Sequence, residues 1–344
     1  MICTMTDASE TRRTATRGRI LVAPDSFKGT LTASAIVAAL AGPLREAGYE
    51  VDGLPLGDGG EGTAEALLAT AGGRRLEADA HDPLGRPLRS WYALVGTGEA
   101  MVEAAAASGL SLIAESERDP ERASTRGTGE LIADASRRAS TVLIGVGGSA
   151  TTDGGRGALE AIAAAGGLGA ARLVCLCDVR TPWELAAREF APQKGADRAA
   201  VARLSARLQS YATQLPRDPT GVPLTGAAGG LAGGLWATHG AELADGARYI
   251  AERVGLDDRI RDAVAVVTGE GRLDATTLEG KTVSEVARRA TAARVPLHAV
   301  VGQDASTEAE RRALALASVR EASTAEELTR AATALARELA EAAR

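Results

Sequence analysis

The 344-residue sequence has few residues of the kinds that build disulfide frameworks, zinc sites or hydrolase triads. It contains three cysteines and three histidines. An odd cysteine count without framework spacing argues against a disulfide scaffold and favours a reducing, cytoplasmic location. The histidines stand far apart in unrelated contexts, so a Ser-His-Asp triad or a zinc site has little support.

Long apolar runs and an excess of positive charge are also absent. No stretch approaches the roughly 20 apolar residues that a membrane-spanning helix needs. The net charge of −6 argues against a nucleic-acid-binding surface. Residues 1–18 mix polar and charged side chains without an apolar core, so we expect a disordered tail and not a signal peptide. We therefore expect neither nucleic acid nor a membrane as a partner.

Lysine is scarce, and asparagine is missing altogether. Only three of the 39 basic residues are lysines, and each stands next to a glycine: Lys28, Lys194 and Lys281. The chain thus uses arginine wherever a generic surface cation suffices. Because an ammonium and a planar guanidinium are not interchangeable at a phosphate or carboxylate site, the three lysines are candidate site residues.

Glycine, in contrast, is concentrated after one short apolar run. Residues 142–144 predict a buried strand, residues 145–157 contain six glycines, and an apolar helix pattern begins at Ala158. Such a segment can cradle a phosphate, because glycines let the backbone approach a ligand and free amides at a helix start face negative charge. The predicted nucleotide contacts in this loop are Gly147, Gly148, Ser149, Thr151 and Gly154.

Two aspartates follow predicted strands, at the edge where ligands bind in open α/β sheets. Asp178 ends the strand 172–178, and Asp274 follows the strand 263–268 through a glycine-rich turn. A carboxylate placed near an acceptor hydroxyl can take its proton during phosphoryl transfer. Both are candidate catalytic bases, and we favour Asp178.

Four further acids lie in glycine-rich turns. Magnesium keeps several waters and takes few carboxylates, so such turns suit it. The candidate metal ligands are Asp58, Glu61, Asp153 and Glu270. Together with the lysines they form the inventory that phosphoryl transfer needs: cations around phosphates, carboxylates for magnesium and a base near the acceptor.

The loop after residue 144 also allows a different interpretation. Gly145, Gly147 and Ala150 match the G-x-G-x-x-G/A fingerprint of dinucleotide-binding folds, with Asp178 as the later acid on the ribose. The match is weak, because a Rossmann helix should already run through 149–153. A dinucleotide-dependent oxidoreductase therefore stays open as an alternative.

The strand pattern changes along the chain. Strands alternate with helices from residue 19 to about residue 71, short strands broken by turns follow from residue 74 to residue 105, and the alternation returns after residue 263. The first pattern predicts parallel pairing and the second antiparallel pairing. A second domain is therefore predicted to begin near residue 72.

Eight motifs, in order between about residues 20 and 302, resemble those of the bacterial type I glycerate kinase family. They are 23–29 (APDSFKG), 58–63 (DGGEGT), 127–131 (GTGEL), 147–155 (GGSATTDGG), 177–179 (CDV), 192–196 (PQKGA), 226–230 (GAAGG) and 268–274 (TGEGRLD).

The resemblance implies a fold, an activity and partners. The fold would be α/β, with a discontinuous Rossmann-like domain containing a parallel sheet (19–71 and 263–344) and an inserted α/β domain with a mixed sheet (72–262). The activity would be transfer of the ATP γ-phosphate to D-glycerate with Mg²⁺. The resemblance favours 2-phosphoglycerate over 3-phosphoglycerate as the product. ATP and D-glycerate are then the expected ligands, and a homodimer is a candidate assembly.

Within that activity, we expect Lys28 to act catalytically by holding the substrate carboxylate or a phosphate. The substrate-binding set is Ser26, Lys28, Arg86 and Lys194. The nucleotide phosphates should also meet Gly269, Gly271 and Lys281.

The sequence departs from the family's usual pattern at a few positions. Thr152 and Thr181 stand where the family usually has asparagine, and the loop 180–191 is altered. Because the chain has no asparagine anywhere, compositional drift explains the two threonines as well as lost function does. A non-catalytic, ligand-binding relative of the kinases is therefore a further alternative.

Overall fold

Two β-sheets, taken from different parts of the chain, organise the fold. The computed structural model describes residues 16–279 and 281–342, so residues 1–15 of the predicted disordered tail lie outside the described residues. The last residues of that predicted tail already join the fold, because the Arg17 N–H donates to the Gly48 carbonyl at 3.0 Å.

The first sheet consists of five parallel strands. They are β1 (Arg19–Val22), β2 (Glu50–Gly53), β9 (Ala265–Thr268), β11 (Leu297–Val301) and β13 (Leu316–Glu321). Their order is β13-β11-β9-β1-β2. Every residue of β9 and β11 is buried, as expected for central parallel strands covered on both faces. Helices α1 (Ala33–Glu46) and α13 (Ala325–Ala342) cover one face, and α11 (Thr282–Ala293) covers the other.

The second sheet is mixed. Its strands are β3 (Gly73–His81), β4 (Pro87–Val95), β5 (Glu99–Glu103), β6 (Thr141–Gly145), β7 (Arg172–Cys177) and β8 (Glu242–Asp245). Strands β3, β4 and β5 pair antiparallel, and β5 to β8 pair parallel. The predicted fold class, α/β with one parallel and one mixed sheet, is therefore confirmed.

Further helices and a short parallel strand pair complete the described part of the chain. The helices are α2 (Thr63–Ala71), α3 (Ala105–Ser108), α4 (Arg126–Ser136), α5 (Arg156–Ala164), α6 (Ala186–Phe190), α7 (Arg198–Ala212), α8 (Leu231–His239), α9 (Gly246–Arg253), α10 (Leu256–Arg261) and α12 (Glu308–Ala313). The pair is β10 (Arg272–Leu273) and β12 (Gln303–Asp304). Across residues 16–279 and 281–342, no helix is both long enough and apolar enough to span a bilayer.

One hydrophobic core joins the two sheets. It contains Leu21 and Val266 of the first sheet together with Leu143 and Val174 of the second, all fully buried. Helices α2, α9, α10 and α11 supply the side chains between them. The domain boundaries near residues 72 and 262 stay a prediction: the strands separate into two sheets there, but the core crosses the boundary.

A buried arginine fixes α11 to its neighbours α9 and α10. The side chain of Arg289 is only 4% exposed; its Nε lies 2.6 Å from Glu285 Oε1, and its Nη1 lies 2.6 Å from Asp257 Oδ2. Glu252 lies 3.7 Å away on the other side. The network therefore fixes the helix that begins directly after Lys281.

Replacing this arginine tests the network. Arg289→Met should lower the free energy of unfolding by about 1–3 kcal/mol, less than for a fully buried pair, because Asp257 and Glu252 can return to water. Arg288→Met is the matched control, since Arg288 pairs with the same Glu285 but is 60% exposed; its effect should stay below about 1 kcal/mol. Urea denaturation measures both, and equal losses would contradict the assigned role of Arg289.

Candidate functional site

Glycines bring the loop 57–62 into direct backbone contact with the second sheet. A Cβ on Gly59 would lie 2.5 Å from the Leu176 carbonyl, and a Cβ on Gly147 would lie 2.7 Å from Gly60 Cα. A Cβ on Gly145 would overlap the Gly59 carbonyl, and one on Gly246 would overlap the Asp58 carbonyl. The loop therefore packs closely against the carboxyl ends of β6 and β7 and the start of α9.

This packing gathers acidic residues around Lys28. Asp25 follows β1, Asp58 lies in the loop after β2, Asp178 follows β7 and Glu270 follows β9. Lys28 Nζ lies 4.0 Å from Asp58 Oδ2. The charge of Asp58 raises the pKa of Lys28 against the effect of burial, and the charges of Asp25, Asp178 and Glu270 add to it. The carboxyl ends of strands from both sheets thus form one cluster, called here the acidic cluster.

The carboxyl groups of this cluster are crowded and poorly hydrated. Burial, and then the charge of Asp58, raise the pKa of Asp25 to about 7. The same two causes raise the pKa of Asp178, and burial raises the pKa of Glu270 to about 7. Crowded carboxylates disfavour their own ionised forms, so a cation bound among them would be favourable.

Hydrogen bonds orient three of these carboxylates. Thr282 Oγ1 donates to Asp25 Oδ2 at 2.8 Å, and Thr277 Oγ1 donates to Glu270 Oε1 at 2.5 Å. The Gly60 N–H donates to Asp58 Oδ1 at 2.9 Å. Asp25, Asp58 and Glu270 therefore lie in fixed orientations.

A cavity of about 420 Å³ opens beside the acidic cluster and is called here the acidic cavity. Lys28 and Lys281 line it together with Asp25, Asp58 and Glu270. The described residues contain no set of three ligand-type side chains close enough to hold a metal by themselves. A hard cation that keeps several waters and also binds phosphate oxygens needs only one or two of these carboxylates, so the donor set fits Mg²⁺.

A second cavity, of about 510 Å³, meets the acidic cavity at Lys28. It lies between the start of α1, the start of α2 and strand β4, and Trp91 lines it. We call it the Trp91 cavity. Ser26, Phe27, Lys28 and Thr30 line both cavities.

The glycine-rich loop 145–157, the predicted phosphate cradle, is closely packed inside the protein. Other parts of the protein fill the space beside its glycines: a Cβ on Gly154 would lie 2.7 Å from Trp183, and Gly147 packs against Gly60. Ser149 and Thr151 are buried, and only Gly148 of the five predicted contacts is exposed. None of the five lines either cavity, because close packing of backbone against backbone has used the space.

Lys194 lies in the interior next to this loop, away from both cavities. Its side chain is 3% exposed, and its Nζ donates to the Thr151 carbonyl at 2.6 Å and to Ser149 Oγ at 3.1 Å. Burial lowers the pKa of Lys194 to about 7, while the charges of Asp153 and Asp178 oppose that shift. In this geometry Lys194 supports the loop, and its contact with substrate stays a prediction.

Two of the predicted metal ligands, Asp153 and Glu61, lie outside the acidic cavity. Asp153 accepts hydrogen bonds from Thr125 N, Thr125 Oγ1, Gly155 N and Gly157 N at 2.8–3.2 Å, so it holds the starts of α4 and α5. Glu61 is exposed and lines the Trp91 cavity, apart from the acidic cavity.

Three other predicted site residues are engaged elsewhere. Arg86 pairs with Asp82 and Glu117 at the β3–β4 turn and lines neither cavity. Gly269 is packed against the Val300 carbonyl, whereas Gly271 lines the acidic cavity. Asp274 accepts hydrogen bonds from Thr276 and Arg272, and the hydroxyl of Thr276 in particular lowers its pKa.

Sequence reasoning assigned no role to two residues that the structure makes prominent. Asp25 was visible as an acid at the end of β1, which is the same signal that indicated Asp178. Glu103 ends β5 and is buried; its Oε1 accepts the Ala64 N–H of α2 at 2.7 Å. No local pattern marks Glu103, because its partner is 39 residues away.

The backbone contact at Gly246 can be tested by adding one methyl group. Gly246→Ala should lower the urea midpoint and speed amide exchange in 57–62, because its Cβ would displace the Asp58 carbonyl. The destabilisation should be about 1–3 kcal/mol, as for other overpacked sites. Gly42→Ala, in an open position on α1, should be neutral or stabilising. If both variants behave alike, the contact does not constrain the loop.

The buried Glu103 should leave a signature in the pH dependence of stability. Burial raises its pKa from 4.5 to about 7, so between these values the folded chain keeps a proton that the unfolded chain releases. Its contribution to stability therefore falls as pH rises through that window. Glu103→Gln should make this slope shallower by the share that Glu103 contributes, up to about 3 kcal/mol, in urea titrations from pH 4.5 to 7, while the shares of Asp25, Asp178 and Glu270 remain. The exposed Glu46→Gln should leave the slope intact.

Comparisons with known proteins agree with one another. A sequence profile of the glycerate kinase family matches residues 20–167 and 164–344. Glycerate 2-kinase from Escherichia coli (strain K12) is 36% identical over 323 residues, 83% of this chain and 85% of that one. Glycerate kinase from Bacillus subtilis (strain 168) is 35% identical over 326 residues, with the same coverage.

The fold is also similar to that of a solved structure. A crystal structure assigned as glycerate kinase 2 from Salmonella typhimurium LT2 has a TM-score of 0.78 and 32% sequence identity, and covers 95% of this chain and 97% of its own. Profile, relatives and fold therefore lead to one conclusion: the chain belongs to the glycerate kinase family.

Proposed function

We propose that this chain is a type I glycerate kinase that transfers the γ-phosphate of ATP to D-glycerate with Mg²⁺, and that the acidic cavity is where the reaction occurs. The observation that carries the proposal is the acidic cluster around Lys28, built from strand ends of both sheets. The name of the Escherichia coli relative favours 2-phosphoglycerate as the product.

Each group in the acidic cavity has a role in this proposal. Asp58 and Glu270, with Asp25 beside them, would hold Mg²⁺, which neutralises charge on the transferring phosphate when bound. Lys28 and Lys281 would bind phosphate oxygens or the substrate carboxylate. Lys281 Nζ is already held by Thr276 Oγ1 at 2.7 Å.

Asp178 is the proposed general base. It belongs to the acidic cluster and is partly exposed, although it does not line the acidic cavity itself. Its raised pKa brings it closer to neutral pH, where a base is most effective. Asp274 has the opposite properties, because its carboxylate is bonded to Thr276 and Arg272 and its pKa is lowered.

The structure offers little support for a dinucleotide-dependent oxidoreductase. In the G-x-G-x-x-G/A match, Gly145 and Gly147 pack against Gly59 and Gly60, and α5 begins only at Arg156. Asp178, the candidate ribose ligand, lies in the acidic cluster.

The alternative is a non-catalytic, ligand-binding relative of the kinases, and an activity assay distinguishes it from an active kinase. The two threonines that depart from the family pattern line neither cavity: Thr152 is fully buried, and Thr181 Oγ1 donates to Glu189 at 2.5 Å. We place the protein in the cytoplasm, where the buried thiols of Cys175 and Cys177 would stay reduced. A homodimer is the proposed assembly.

A coupled assay of glycerate-dependent ADP formation tests the activity and the base together. Asp178→Asn should reduce kcat by about 10²–10⁴-fold and leave nucleotide affinity nearly unchanged, whereas Asp274→Asn should reduce kcat less. Near-normal turnover in Asp178→Asn would reject the assignment, and weakened Mg²⁺-dependent nucleotide binding would make Asp178 a metal ligand. Wild-type protein that binds nucleotide but never forms ADP would favour the non-catalytic relative.

A further inference from the structure

The Trp91 cavity has an apolar wall that the proposed chemistry does not use. Leu31, Leu88, Trp91 and Leu112 line it, and all four are only partly buried. Apolar surface left open to water is unfavourable, so a ligand that covers it gains binding free energy. A concave, preformed apolar site beside polar groups is the usual form of a small-molecule pocket.

The aromatic ring in this wall is held in place. The guanidinium carbon of Arg75 lies 4.1 Å from the centre of the Trp91 ring. A cation over the ring stabilises its position, so Trp91 is preorganised. Flat aromatic ligands bind favourably against such a ring, and nucleobases in particular stack on it.

The charges around the Trp91 cavity suit an organic acid less well than those of the acidic cavity, where Lys28 and Lys281 are both present. Glu61, Glu65 and Glu103 contribute three carboxyl groups to the lining. Of the two cations, Arg89 is already paired with Glu77 and Asp79 at 3.3 and 2.8 Å. A three-carbon hydroxy acid would bring a carboxylate to these acids and has almost no apolar surface to cover the wall.

Lys28 connects this cavity to the acidic cavity, since it lines both. A ligand with an aromatic base at one end and phosphates at the other could therefore have its base in the first cavity and its phosphates beside Lys28. Acidic groups near the base end would accept hydrogen bonds from sugar hydroxyls.

We propose that the Trp91 cavity binds the base and ribose of the nucleotide, with the phosphate chain passing Lys28 into the acidic cavity. This assignment rests on the proposed function and adds to it the orientation of the bound nucleotide. D-Glycerate is thereby assigned to the acidic cavity.

Calorimetry with ADP and Mg²⁺ tests the assignment without relying on turnover. Trp91→Ala should weaken ADP binding by about 10-fold or more, Trp91→Phe should restore most of the affinity, and tripolyphosphate affinity and the KM for D-glycerate should not change. Trp236→Ala is the matched control: the guanidinium of Arg217 lies 3.9 Å from its ring centre, and it lines neither cavity. It should bind ADP normally.

The outcomes separate the two proposals. Unchanged ADP affinity in Trp91→Ala, or a raised KM for D-glycerate with unchanged ADP affinity, would overturn the nucleotide assignment while leaving the kinase activity in place. Wild-type protein that binds ADP but never phosphorylates D-glycerate would overturn the proposed function, and the Trp91→Ala measurement would still decide the cavity. Absence of ADP binding in the wild type would overturn both.

Discussion

The close packing of the loop 57–62 on the second sheet is the constraint on which the rest of the site depends. At this contact one backbone lies directly against another, and glycines on both sides make the distance attainable. Asp58 and Lys28 thereby reach Asp178, which comes from the other sheet. Any side chain larger than hydrogen at these positions would push apart the groups that phosphoryl transfer needs together.

The close contact between loop 57–62 and the second sheet also brings carboxyl groups together. Their mutual repulsion is unfavourable, and a bound cation can reduce it. Asp25, Asp178 and Glu270 all have raised pKa values, because burial and neighbouring carboxylates disfavour their charged forms. Lys28 offsets part of this repulsion. Because Lys28 neutralises only part of the negative charge, the site has a greater affinity for a divalent cation and for the phosphates that this cation carries.

Sequence patterns indicated several residues that line the acidic cavity, whereas the glycine-rich loop lines neither cavity. The scarcity of lysine indicated Lys28 and Lys281, which line the cavity. The rule on strand ends indicated Asp178, which belongs to the adjacent acidic cluster. Loop 145–157 has the composition of a phosphate cradle, but its glycines serve close packing within the protein. Composition cannot separate these uses, because both need a backbone without side chains. Glu103 was missed since its partner is distant in sequence.

The arrangement of the first sheet also has a consequence for the order of folding. Strand β1 lies between β2 and β9, and the Thr268 hydroxyl donates to the Ala23 carbonyl across 245 residues. Until the chain beyond residue 265 has been synthesised, β1 keeps an unpaired edge that is a template for wrong pairing. Contacts of such long sequence separation form slowly. The acidic cluster, which needs Glu270 beside Asp25, is therefore among the last parts of the molecule to assemble on the ribosome.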